Sequence, residues 1–138
     1  MAVSFAKTFL MTGTGGSSNP AGAHLMICLL SKEGDIMIVP VVTRHPYSDA
    51  SCVLQAVEHE FLTHESCIDY SFARKCSKAA LDEQIALGNY TMKETVSPMV
   101  MKRVLEGLIA SDETAPWVLE FCDGIEAAIA KIEEDYGE

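Results

Sequence analysis

Short apolar runs separated by polar turns fill the first half of the chain, and longer stretches with helical spacing fill the second. The clearest signal is 24–45, HLMICLLSKEGDIMIVPVVTRH. Two apolar runs, 25–30 and 36–42, flank a turn at 31–35, where Lys32 and Glu33 stay in water. Gly34 supplies the loose backbone that a hairpin loop of about 3–5 residues needs. Both runs are apolar nearly throughout rather than alternating. That predicts strands covered on both faces, as in a small closed barrel. Polar groups stand at the strand ends: His24 before the first, and Thr43, Arg44 and His45 after the second.

Around this hairpin the pattern predicts further strands at 5–12, 52–57 and 67–74, about five in all. Residues 12–22, TGTGGSSNPAG, read as a plain loop. Their GTGG lacks the spacing of a phosphate loop, and a strand rather than a helix follows. A turn with Pro46 and Asp49 occupies 44–51, and 58–66 is polar with Phe61 and Leu62 as anchors. Past residue 75 the period changes to that of helices. One is predicted at 77–88 with Gly88 at its C-cap. The next begins at Ser97 and Pro98 and carries the stripe Met101, Val104, Leu105 and Leu108. A last helix at 115–135 places Val118, Phe121, Ile125, Ile129 and Ile132 on one face. Residues 89–96 read as a link.

With 138 residues, this predicts one α+β domain over 1–138. Its barrel core is 1–76, its helical segment 77–111 and its acidic C-terminal helix 112–138. No apolar run approaches the roughly 20 residues of a membrane span, and MAVSFAKTFLM has no long apolar core of a secretory signal. A cytoplasmic protein with no membrane partner is expected. The five cysteines are irregularly spaced and include no CxxC pair, which predicts reduced, mostly buried thiols rather than a zinc or redox site. The net charge of −10 is unevenly placed. Nine acids and Lys131 give 112–138 a charge of −8, leaving the body nearly neutral. An acidic end repels phosphates and favours a basic protein partner. Trp117 and Phe121 favour burial against the body or a second subunit, as in a homodimer.

The segment from His24 to Thr43, with strands LMICLLS and IMIVPVVTR, resembles the central hairpin of PemK/MazF-like proteins. The stretch Cys52-Val53-Leu54, Glu58-His59-Glu60-Phe61, His64-Glu65-Ser66, Tyr70 and Ala73-Arg74 is similar to a divergent branch of that family. The resemblance covers about residues 5–110 and leaves the acidic end unmatched. It implies an SH3-like barrel of about five strands followed by two or three helices. It also implies a toxin-type, metal-independent endoribonuclease, or a degenerate relative of one, acting on single-stranded RNA. The chain departs from the pattern in two places. FAKTFLM replaces the usual Gly-Asp-Ile/Val-Trp opening, and Gly22-Ala23-His24 stands where an Arg usually precedes the first hairpin strand.

RNA cleavage without a metal needs a base for the 2′-hydroxyl, a cation for the phosphorane and an acid for the leaving oxygen. Histidine suits the first and third roles, and arginine the second. The candidate catalytic residues are His24, Thr43, Arg44, His59 and His64, with His24 and one of His59 or His64 as base and acid. Arg74, Lys75 and Lys78 form the candidate phosphate-binding cluster. His59 and His64 do not have metalloprotease spacing, so no metal or other cofactor is expected. The alternative is a non-enzymatic acidic module that kept the barrel and binds a basic protein.

Overall fold

A computed structural model of the chain describes residues 5–11, 24–60 and 62–136. The predicted loop at 12–22 and the predicted anchor Phe61 lie outside the described residues. The hairpin forms as its apolar runs predict, but with a tighter turn. Strand β2 (His24–Lys32) pairs antiparallel with β3 (Asp35–Thr43), and Lys32 stands opposite Asp35. Only Glu33 and Gly34 turn the chain, at φ of 54° and 87°. Two successive positive φ angles give the mirror-image turn whose twist matches the strands it joins, and glycine adopts it without a Cβ penalty. Between Cys28 and Ser31, β2 holds one residue more than β3, a bulge that bends the hairpin.

The bent β3 has two partners on its outer edge. β5 (Ser66–Ile68) pairs with Val41, Val42 and Thr43, and β6 (Arg74–Ser77) pairs with Asp35 through Ile38. The two-residue β4 (Val53–Leu54) lies beyond β5. On the other side of β2 lie β1 (Thr8–Met11) and then β7 (Tyr90–Lys93). The result is a seven-stranded antiparallel sheet ordered β4-β5-β3-β2-β1-β7, with β6 branching from β3. Five predicted strands thus become seven. The stretch 67–74 divides into β5 and β6 because a 3₁₀ turn, Tyr70–Phe72, intervenes, its start capped by the Asp69 carboxylate accepting from Ser71 N at 3.2 Å. The strand expected at 52–57 stops at Leu54, where a second 3₁₀ turn, Ala56–Glu58, takes over. The link at 89–96 contains β7, an edge strand held by β1.

The closed barrel expected from the apolar runs is an open sheet: among the described residues β4 and β7, its two ends, do not pair. Both faces are nevertheless covered, by different means. Leu25, Ile27, Leu29, Met37, Val39 and Val41 pack in one core with α2 (Pro98–Ala110), α3 (Pro116–Phe121) and α4 (Ile125–Tyr136). The alternate residues Phe9, Met11, Met26, Cys28, Ile36 and Ile38 form a second cluster with Leu81 of α1 (Lys78–Ala86). Continuous apolar runs report burial on both faces; they do not report what does the burying.

The helix ends follow the sequence signals. Ser77 Oγ accepts from Ala80 N at 3.2 Å and Ser97 Oγ from Val100 N at 3.2 Å, each a side-chain N-cap. Gly88 takes φ of 83° just past α1. The helix expected over 115–135 is two helices. Cys122 is fully buried and leaves the helical region at ψ 41°, so α4 starts anew at Ile125. Ile125 and Ile132 reach the main core, and Lys102 of α2 bridges to Glu133 of α4 at 3.4 Å. Helix α4 of the acidic segment is therefore packed on the body. Among the described residues, no helix is long and apolar enough to cross a membrane.

Candidate functional site

Strand pairing brings one group of the predicted residues together. Thr43 ends β3 opposite Ser66 of β5, so the residues just before β5 lie beside those just after β3. Thr43 Oγ1 is 2.8 Å from His64 Nε2, and Thr63 Oγ1 is 3.0 Å from His64 Nδ1. A neutral imidazole has one donor and one acceptor nitrogen, so one of these hydroxyls donates to the ring and the other accepts from it. The ladder continues one step further, with Arg44 N donating to the Glu65 carbonyl at 3.2 Å. The Arg44 guanidinium donates to the Glu65 carboxylate at 2.9 Å, and Gln55 Nε2 donates to the other carboxylate oxygen at 3.1 Å. Those hydrogen bonds, from Gln55 and then Arg44, hold the Glu65 carboxyl below its ordinary range. Thr43, Arg44, His64 and Glu65 are all exposed.

His59 goes elsewhere. It is 3% exposed, and its Nε2 lies 3.0 Å from both Thr8 Oγ1 and the Glu94 carbonyl oxygen. A carbonyl only accepts, so Nε2 carries the proton. Thr8 in turn donates its own hydroxyl to the same carbonyl at 2.5 Å. Glu60 N donates to the Glu94 carboxylate at 2.6 Å. β4 lies at one end of the sheet, whereas Thr8 and Glu94 belong to the other end, on β1 and just after β7. His59 follows Leu54 by only five residues, a reach of at most about 18 Å. The sheet therefore curls enough for this loop to span the gap between its ends, and His59 fastens it there.

His24 faces away from the Thr43 cluster. The register Leu25↔Val41 sets it beside Val42, and neighbouring residues on a strand point to opposite faces. Its partner on β1 is Met11, and Arg74 Nη1 lies 4.0 Å from Met11 Sδ. His24 and Arg74 thus share the face of the second core cluster. The predicted basic cluster is dispersed by the same alternation. Lys75, next to Arg74 on β6, lies on the other face with its Nζ 5.9 Å from the Phe121 ring centroid. Lys78 begins α1, its N–H bound to the Gly34 carbonyl at 2.9 Å. The sequence offered no signal for the roles of Glu65 and Gln55, which arise only because β3 and β5 pair.

The five cysteines lie mostly inside the fold. Four are buried, Cys76 is partly so, and all five are free thiols. Burial pushes Cys28 up to about 12 and Cys52 and Cys122 up to about 11. Among the described residues, no three His, Cys, Asp or Glu side chains converge on a point where they could hold a metal ion. In comparisons with known proteins, the chain matches no family model and no curated protein sequence.

Proposed function

We propose that this chain is a PemK/MazF-like protein whose curled sheet is an SH3-like barrel left open at its seam, and that it cleaves single-stranded RNA at the Thr43–Arg44–His64 cluster. The observation that carries the reading is the exposed imidazole of His64, held between the hydroxyls of Thr43 and Thr63, with Arg44 following Thr43 in the chain. The hydroxyl donating to the ring marks the place that a ribose 2′-hydroxyl takes. His64 accepts the 2′ proton, and the 2′ oxygen attacks the adjacent phosphorus. The bond to the 5′ oxygen breaks, and that oxygen takes a proton from water, leaving a cyclic 2′,3′-phosphate. Arg44 stabilises the charge on the phosphorane through the N–H groups not used by Glu65. His59 stays in the fold, and His24 contacts the substrate only if RNA wraps around the sheet end.

The test is incubation of full-length protein with mixed single-stranded RNA in EDTA. Cleavage is expected, falling about 100-fold in His64→Ala, the usual scale of a lost general base, and persisting in His24→Ala. Absence of cleavage from folded protein, or unchanged cleavage by His64→Ala, overturns the assignment.

A further inference from the structure

The turn end of the hairpin carries a second, chemically different feature. A cleft of about 290 Å³ opens between the β2–β3 turn, β6 and α3. That volume is at the low end for small-ligand sites, room for one long side chain. Its wall on the helix side is Trp117 and Phe121, one helical turn apart on α3. Trp117 is 49% exposed although it is a large aromatic. Its opposite wall holds Glu33 and Asp35 from the turn, and Glu120 lies at the helix edge.

The cations of the cleft are already engaged. Lys32 pairs with Asp123 at 3.3 Å, and Lys75 lies against the Phe121 ring, within the roughly 6 Å at which a ring face attracts an ammonium. Among the described residues, no cation pairs with Glu33, Asp35 or Glu120. Among the described residues the cleft therefore presents one half-exposed indole and three carboxylates that form no ion pair. Trp117, Glu120 and Phe121 of its lining come from the stretch 112–138, whose sequence carries −8. Phosphate is repelled by such a lining. A guanidinium is matched by it, since its plane stacks on an indole while its edge donates two parallel bonds to a carboxylate.

We propose that this cleft is a docking site for an arginine side chain of a basic polypeptide partner. The inference is independent of the RNA reading. β3 separates the two sites by eight residue steps, at most about 26 Å.

Trp117 is the chain's only tryptophan, so its emission reports on the cleft directly. Full-length protein is titrated with a short peptide alternating Arg with Gly and Ser, and with matched peptides carrying Lys or Glu in place of Arg. The arginine peptide is expected to give a saturable change that weakens with salt. The lysine peptide should bind several-fold more weakly, and the glutamate peptide not at all. Glu120→Lys and Glu33→Lys, both at exposed positions and checked for native circular dichroism, should each weaken the arginine peptide about tenfold. No saturable change, or a change indifferent to both charge reversals, overturns the proposal. Equal affinity for the lysine peptide overturns the choice of arginine. The same emission change with single-stranded RNA overturns the choice of a polypeptide.

Discussion

His59 and His64 stand five residues apart in one polar loop, yet the fold puts them to opposite uses. His59 is buried between the sheet's ends, its Nε2 proton given to a backbone carbonyl that also receives the Thr8 hydroxyl. His64 is exposed, both its nitrogens facing side-chain hydroxyls that are free to rotate. A proton held by a buried carbonyl cannot be exchanged with substrate without opening the fold. A proton shared with a surface hydroxyl can. The loop between them does two jobs: it joins the sheet's separated ends, and it delivers one imidazole to the end of the hairpin. Two histidines near each other in sequence, each a candidate for catalysis, are thereby divided into one buried fastener and one exposed imidazole.

The sharpest way to break this comparison is to truncate each ring in turn. His59→Ala removes a buried side chain and leaves the Thr8 hydroxyl and the Glu94 carbonyl with only each other. We expect a loss of about 2–4 kcal/mol in urea unfolding. His64→Ala at its exposed position should stay within about 0.5 kcal/mol of the parent. RNA cleavage should show the reverse order once both variants are assayed folded, at low temperature. Equal stability losses would mean that the two rings are equivalent and that the division is wrong.

The buried side of the comparison continues beyond His59, and a smaller effect is expected there. The Tyr70 hydroxyl, just past β5, donates to the Val104 carbonyl of α2 at 2.7 Å. It occupies the space above Gly107, where an added Cβ would lie 2.2 Å from the hydroxyl oxygen. Alanine is the better helix former, so on an isolated helix Gly107→Ala would stabilise by about 1 kcal/mol. Here it should instead destabilise by about 1–3 kcal/mol. The loss should shrink in a Tyr70→Phe background, where the clashing oxygen is gone. Additive losses in the double variant would show that the two positions do not meet.

What could be read in advance follows from the range of the forces involved. The hairpin was legible because burial and turn chemistry are local, and Ser97-Pro98 and Gly88 marked helix ends through bonds to their own neighbours. The break at Cys122 was hidden because Val118, Ile125 and Ile132 keep an unbroken helical stripe across it. β7 was hidden because YTMK has little apolar patterning and becomes a strand only by pairing with β1. The site was half legible. Thr43 and Arg44 could be placed at a strand end, but their meeting with His64 and Glu65 depends on the β3–β5 register. His59 was misleading for the same reason. Its acidic neighbours Glu58 and Glu60 suggest water, while a contact with Thr8, 51 residues away, decides its burial.

The smallest expected effect concerns the charge balance on the exposed side. Glu65 holds Arg44 and is itself held by Gln55. Because its folded-state carboxyl lies below the ordinary value of 4.5, the ionised form is the one that the fold favours. The stability it contributes is therefore complete above that value and is lost as the pH falls through the depressed one. The gap in urea midpoint between the parent and Glu65→Gln should be constant from pH 7 down to about 5 and should close at lower pH. A gap that widens on acidification would reverse the sign and remove Glu65 as Arg44's anionic partner. The same variant tests the site's chemistry. With the carboxylate gone, Arg44 is less neutralised, and single-stranded RNA should bind roughly twofold to fivefold more tightly at low salt, as expected for one exposed ion pair. If affinity for RNA is unchanged while the midpoint shifts as described, Arg44 serves the fold through Glu65 and does not face phosphate.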